Sequence, residues 1–208
     1  MKYVYRIVNA LLALAVLAVM WFVDLIYIEA GLSITDKAVM YESFSAHEIL
    51  QIFQGKGDYA FLASIFQNSS GVFKWPEQFN IINARLIAIL ILVFLIILSV
   101  IFIIVFSCVS NKRIPVVISS AFGLLCQIAI IPVFSSIAGE FTGGNINVIS
   151  SLAGTSILTT LGDALLDIEA LELGGIQNGI ILLFIALIVW TGIFYLSELG
   201  ENKAPSKK

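Results

Sequence analysis

The sequence LIAILILVFLIILSVIFIIVFSCV, residues 86–109, decides the fold of this chain. It contains no charged side chain. At a rise of about 1.5 Å per residue, a helix of this length crosses a hydrocarbon layer about 30 Å thick. Its apolar residues form a continuous run and do not alternate with polar ones, which argues against a transmembrane β-strand. The stretch therefore predicts a transmembrane helix.

Three further segments have the same character and lie at residues 7–23, 114–138 and 179–196. The first extends to residue 28 if Asp24 lies inside the membrane. The predicted fold is an all-α integral membrane protein, an antiparallel four-transmembrane-helix bundle with two helical extracytoplasmic loops. The predicted segments are tail and helix 1 (1–28), loop 1 (29–85), helix 2 (86–109), a cytoplasmic turn (110–113), helix 3 (114–138), loop 2 (139–178), helix 4 (179–197) and a cytoplasmic tail (198–208).

Composition supports the membrane class. Of the 208 residues, 60% are hydrophobic and 12% charged, whereas soluble domains have about 45–50% apolar and about 25% charged residues. The first apolar run is longer than a signal peptide needs, and no A-x-A cleavage site follows it, so we expect an uncleaved anchor. With two Cys and one His, a disulfide framework, a structural zinc site and a bis-histidine haem are excluded.

The distribution of charge predicts the orientation. With the N-terminus inside, the inner segments carry a net charge of +5 and the outer segments −8. Positive charge is retained on the cytoplasmic side, so both termini are expected to be cytoplasmic, in a multi-pass protein of the plasma membrane. The acidic outer surface argues against nucleic acid as a partner.

Each outer loop contains a helical signal. In loop 1, Ser45 and Glu48 form a capping-box pattern that predicts a helix, and Asp58 is positioned to cap a second one over 59–67. In loop 2, apolar residues at spacings of 4, 3, 4 and 3 predict an amphipathic helix. Loop 1, the lipid interface or a partner protein could cover this seam, and the acidic polar face argues against binding to anionic lipid headgroups. The candidate partner-binding residues are Ile157, Leu161, Ala164, Ile168 and Leu171.

Two polar residues are candidates for intramembrane roles. Asp24 either faces the interior of the bundle as a functional group or lies at the outer water boundary. Gln127 lies near the middle of the third span, on a stripe with Ser119 and Gly123. Such a stripe serves helix packing or lines a solute path. Pro132 should kink the same helix.

Catalytic chemistry has little support in the sequence. No HExxH, GxSxG or glycine-rich phosphate loop occurs, so we expect no enzyme, no catalytic residues and no cofactor. The acidic residues of loop 2 spread around the predicted helix, which argues against a calcium or other metal site. Asn68 matches a glycosylation sequon, and its modification stays open.

Four spans, a short inner turn and two long outer loops resemble tetraspan proteins such as claudins in layout alone. The claudin first loop carries a Trp motif and a Cys pair, and loop 1 has no Cys, so no residue role carries over. The sequence favours an accessory or scaffolding subunit that associates with other membrane proteins, or with itself, through its spans and outer helices. The alternative is an oligomeric channel or transporter subunit for a small solute or ion.

Overall fold

The computed structural model describes residues 2–32, 37–54, 77–109, 113–143 and 166–203, together with Lys56, Trp75 and Ile146. A short 3₁₀ helix, Glu77–Ile82, leads directly into the second long helix. The regular elements are α1 (Lys2–Phe22), β1 (Asp24–Leu32), β2 (Lys37–Ser45), α2 (Ala46–Phe53), α3 (Asn83–Val109), α4 (Ile114–Thr142), β3 (Leu166–Leu173) and α5 (Ile176–Lys203).

Four of the helices, α1, α3, α4 and α5, are long and apolar enough to cross a membrane. Their exposed side chains are largely apolar, and Leu90 and Leu125 are each about two-thirds exposed. Apolar surface on this scale is unfavourable in water and suited to lipid. These features indicate a multi-pass membrane protein.

The chain divides into two compact units. We call the first the helical unit, and it comprises Met1–Val19, Ile91–Ile130 and Gln177–Lys208. The second, the sheet unit, comprises Met20–Leu90 and Ile131–Ile176.

The prediction of an all-α protein is wrong, because the sheet unit contains a three-stranded antiparallel sheet. Its strand order is β2-β1-β3, so the central strand is the first in the chain. Only Val23 separates α1 from β1, and two glycines separate β3 from α5. The chain therefore passes almost directly from α1 into β1, and from β3 into α5.

The predicted amphipathic helix is also wrong where the structure describes it. Ile168 and Leu171 belong to strand β3, which pairs with β1. The pairing shifts register between Glu29 and Ala30 of β1, and Glu169 is left without a direct partner across the ladder. Such a bulge adds one residue to the two-residue alternation of the strand. Ile168 and Leu171 are therefore three residues apart, a spacing that is also typical of one face of a helix. The other three candidate residues, Ile157, Leu161 and Ala164, lie outside the described residues.

The capping-box helix is confirmed. Ser45 Oγ accepts a hydrogen bond from the Glu48 amide, and the Glu48 carboxylate accepts one from the Ser45 amide at 2.8 Å. These two bonds satisfy amides at the first turn of α2, which have no partner within the helix. The second predicted helix, over 59–67, lies outside the described residues.

The sheet unit also contains a small apolar core outside its three strands. Phe79 and Ile82 of the 3₁₀ helix pack with Ile137 of α4 and with Ile146. Beside this core, the Arg85 guanidinium lies 2.7 Å from the Glu140 carboxylate.

Candidate functional site

One face of the sheet brings together side chains from all three strands. Residues that pair directly across neighbouring strands lie on the same face. In the central strand, Tyr27 pairs with Ser43 of β2 and with Glu172 of β3. Two residues later, Glu29 pairs with Tyr41 of β2 and with Ala170 of β3. We call this set the tyrosine–glutamate face: Tyr27, Glu29, Tyr41, Ser43, Ala170 and Glu172.

The tyrosine–glutamate face lines an open cavity of about 330 Å³. Tyr41 is 71% exposed and Tyr27 is 48% exposed. Glu29, Glu42 and Glu172 contribute carboxylates, and none of the described residues that line the cavity is Lys or Arg. The cavity therefore combines two exposed aromatic rings with three carboxylates.

Two members of this face lie directly opposite each other: Tyr41 pairs with Glu29 across the β1–β2 ladder. Hydrogen bonding to the Glu29 carboxylate, and then its negative charge, raise the pKa of Tyr41 above its usual value of 10.0. The phenol therefore stays neutral at physiological pH, and the charge of the face comes from its carboxylates.

The opposite face of the sheet is mainly apolar. Ile26 pairs with Phe44 and with Leu173, and Ile28 pairs with Leu171 on one side and with Glu42 on the other. Phe44 is buried, and the aliphatic residues of this face are partly buried. Because one face is apolar and more buried, the alternation of β1 leaves the tyrosines and glutamates on the other face.

The structure places the predicted polar residue Asp24 at the first position of β1, after the end of α1. Ser43 Oγ donates a hydrogen bond of 2.8 Å to its carboxylate. Asp24 therefore belongs to the sheet, and the interpretation that extended the first span to residue 28 does not hold.

Of the predicted partner-binding residues, Ile168 and Leu171 lie on the apolar face of the sheet. Ile168 pairs with Ala30 and Leu171 with Ile28, and both side chains are partly buried. These two residues therefore contribute to packing within the sheet unit.

Gln127 is buried within the helical unit, and its Nε2 donates a hydrogen bond to Oε1 of Gln177 in α5. One helical turn earlier in α4, Gly123 lies against the ring of Phe184 and the hydroxyl of Ser99. Ser99 Oγ in turn donates to the backbone carbonyl of Ser119. The small and polar stripe of α4 therefore contacts both α3 and α5.

A second group of polar side chains is buried elsewhere in the helical unit. The Arg113 guanidinium lies 3.6 Å from the centre of the Tyr5 ring, which lies 5.4 Å from the ring of Phe194. One turn along their helices from these rings are Asn9 and Thr191, each with no exposed surface. Among the described residues, neither polar atom of Asn9, nor the hydroxyl of Thr191, has a hydrogen-bond partner.

The described residues contain no group of three or more His, Cys, Asp or Glu side chains arranged to hold a metal ion. Cys126 is buried in α4 and Cys108 is exposed in α3, and both are free thiols. Comparison with protein-family models, curated proteins and solved structures finds no match for this chain.

The tyrosine–glutamate face is absent from the sequence-based expectations, although β1 contains a signal for it. Residues 26–29 read Ile-Tyr-Ile-Glu, a strict alternation of aliphatic with aromatic or acidic side chains. That period is typical of a strand with one buried face. The aliphatic residues that directly follow the first span hide it, because they look like a continuation of that span.

Proposed function

We propose that this chain is a non-catalytic accessory or scaffolding subunit, which holds a docking face at the membrane surface and associates there with another membrane protein. The four apolar helices anchor it in the plasma membrane, with both termini in the cytoplasm. The sheet then lies outside the cell. The orientation is supported by the excess of basic residues in the inner segments.

The single observation that carries this proposal is the exposure of Tyr27 and Tyr41 on an otherwise polar face. The buried aromatic residue of the sheet, Phe44, lies on the other face, whereas Tyr27 is about half exposed and Tyr41 more so. Tyrosine is enriched in protein interfaces, where its ring supplies contact area and its hydroxyl a hydrogen bond. Strands β2 and β3 are the edge strands of the described sheet.

Co-purification from native membranes tests the docking function. The wild-type chain should be isolated in mild detergent with a stoichiometric partner. The double variant Tyr27→Ser/Tyr41→Ser should lose that partner while its melting temperature stays unchanged. Tyr195→Ser, which alters an exposed tyrosine of α5, is the matched control and should retain it. Isolation of the wild-type chain alone would contradict the proposal, as would retention of the partner by the double variant.

The orientation is tested separately with reporter fusions. Fusions at Gly57 and Gly144 should report an outer location, and a fusion at Lys112 an inner one. A reversed signal at any of these positions would contradict the proposed topology.

A second function, transport by an oligomer, is supported by the buried polar groups of the helical unit. Polar side chains inside membrane proteins frequently mark solute or ion paths, and Asn9 and Thr191 are buried without partners among the described residues. Flux of small ions into liposomes containing the purified chain tests this alternative. Flux above that of empty liposomes, abolished by Asn9→Leu in a folded protein, would favour transport over docking.

A further inference from the structure

The tyrosine–glutamate face has a charge pattern that selects its partner. Glu172 lies directly across from Tyr27, and Glu29 follows Tyr27 by two residues on the same strand. Residues placed diagonally on one face of a sheet are about 7–8 Å apart. Two carboxylates at this separation repel each other, and one cationic group between them would contact both.

The aromatic rings favour the same type of ligand. A cation placed over the face of a tyrosine ring is attracted to its π electrons. Tyr41 pairs directly with Glu29 across the neighbouring strands, so its ring and the carboxylate are presented together. Both rings are exposed enough for a group from outside to reach them.

We propose that the face binds an arginine side chain presented by the partner protein, an inference that rests on the docking function above. A guanidinium is planar, stacks on aromatic rings and donates hydrogen bonds to two oxygens at once. These properties match a tyrosine ring flanked by carboxylates. A lysine ammonium forms the charge contacts without the planar stacking, so arginine should bind more tightly.

Two other cations fit the face less well. Calcium requires six to eight oxygen ligands, and the described residues contain no cluster able to hold a metal. A small quaternary ammonium ion could stack on the tyrosines, but it has no hydrogen to donate to the carboxylates.

A labelled tetra-arginine peptide tests the inference on the full chain in nanodiscs of zwitterionic phosphatidylcholine. The peptide should bind more tightly than tetra-lysine, and raising the NaCl concentration from 50 to 500 mM should weaken it because exposed charges are screened. Glu29→Gln and Glu172→Gln should each weaken binding by about twofold to fivefold, the scale of one exposed ion pair. Glu77→Gln, which alters an exposed carboxylate of the 3₁₀ helix, is the control and should leave binding unchanged.

The ring contribution is tested at Tyr41. Tyr41→Phe keeps the ring and should retain most of the affinity, whereas Tyr41→Leu should reduce it. Equal affinity of the wild-type and both glutamate variants for the peptide would overturn the inference, as would tetra-lysine binding as tightly as tetra-arginine. Displacement of the peptide by millimolar tetramethylammonium would also overturn it, because the face would then be a site for small organic cations.

Failure of the arginine inference is distinguishable from failure of the docking function. If the co-purified partner is lost from Tyr27→Ser/Tyr41→Ser but kept by both glutamate variants, docking stands and the arginine inference fails. If the wild-type chain has no partner, the docking function itself fails.

Discussion

Gly123 of α4 occupies a position where even one added methyl group should disturb the helical unit. A Cβ built on Gly123 lies 2.6 Å from both Cε1 and Cζ of Phe184, and 2.7 Å from Oγ of Ser99. Carbon atoms in good contact are separated by about 3.5–4.0 Å. Gly123→Ala therefore requires the surrounding side chains to move.

The magnitude follows from two opposing effects. Alanine favours a helix over glycine by about 1 kcal/mol, whereas overpacking a tight interior costs about 1–3 kcal/mol. The cost should dominate here, because Phe184 is completely buried, and a buried ring moves only by displacing its packed neighbours. Ser99 cannot withdraw without loss, since its hydroxyl donates to the Ser119 carbonyl. We expect a net loss of up to about 2 kcal/mol.

Thermal unfolding in detergent, followed by the fluorescence of the three tryptophans, measures this effect. At about 2–4 °C per kcal/mol for a chain of this length, Gly123→Ala should lower the melting temperature by several degrees. Gly192→Ala is the matched control, because an added Cβ at Gly192 meets no atom within 4 Å. Gly192→Ala should be neutral or slightly stabilising, and Gly123→Ala/Phe184→Leu should recover part of the loss. If Gly123→Ala proved as stable as Gly192→Ala, the close approach of these helices would be refuted.

Three further substitutions test other parts of the structure by the same assay. Asn9→Leu should raise stability by about 1 kcal/mol, because it removes a buried amide without partners among the described residues; a loss would reveal a bound water or ion. Gln127→Leu should lower stability by about 1 kcal/mol, and its effect should be non-additive with that of Gln177→Leu, because the two amides are bonded. Ser45→Ala should cost about 1 kcal/mol. Hydrogen bonds from Ser45, first from its amide and then from its side chain, hold the pKa of Glu48 below its usual value of 4.5. The stabilisation from the cap is therefore complete above pH 4.5 and is lost as the pH falls through the lowered pKa. An unchanged melting temperature of Ser45→Ala at pH 7 would contradict the cap.

The apolar helices and the cap of α2 could be predicted from the sequence because each depends on residues close together in the chain. A run without charges specifies a transmembrane helix wherever its neighbours lie. In the same way, Ser45 and Glu48 complete their reciprocal hydrogen bonds within one turn. Local signals of this kind retain their meaning in any tertiary context.

Strand β3 could not be predicted from a local pattern, because a bulge in its pairing with β1 interrupts the alternation of its apolar residues. Leu166 and Ile168 follow a period of two, and so do Leu171 and Leu173, but the bulge at Glu169 offsets the second pair by one residue. Read as a single series, Ile168 and Leu171 are three apart, the spacing of a helix face. The bulge becomes visible only when β1, more than a hundred residues earlier, is placed beside it.

The same separation in sequence explains why the candidate site cannot be predicted from local patterns. Tyr27, Tyr41 and Glu172 come from three strands, and no spacing within one segment indicates that they share a face. They come together only because β1 pairs with β2, which follows it in the chain, and also with β3, which lies in the second half of the chain. The tyrosine–glutamate face is therefore a property of the assembled sheet. A variant that weakens the β1–β3 pairing should weaken partner binding even when every residue of the face is retained.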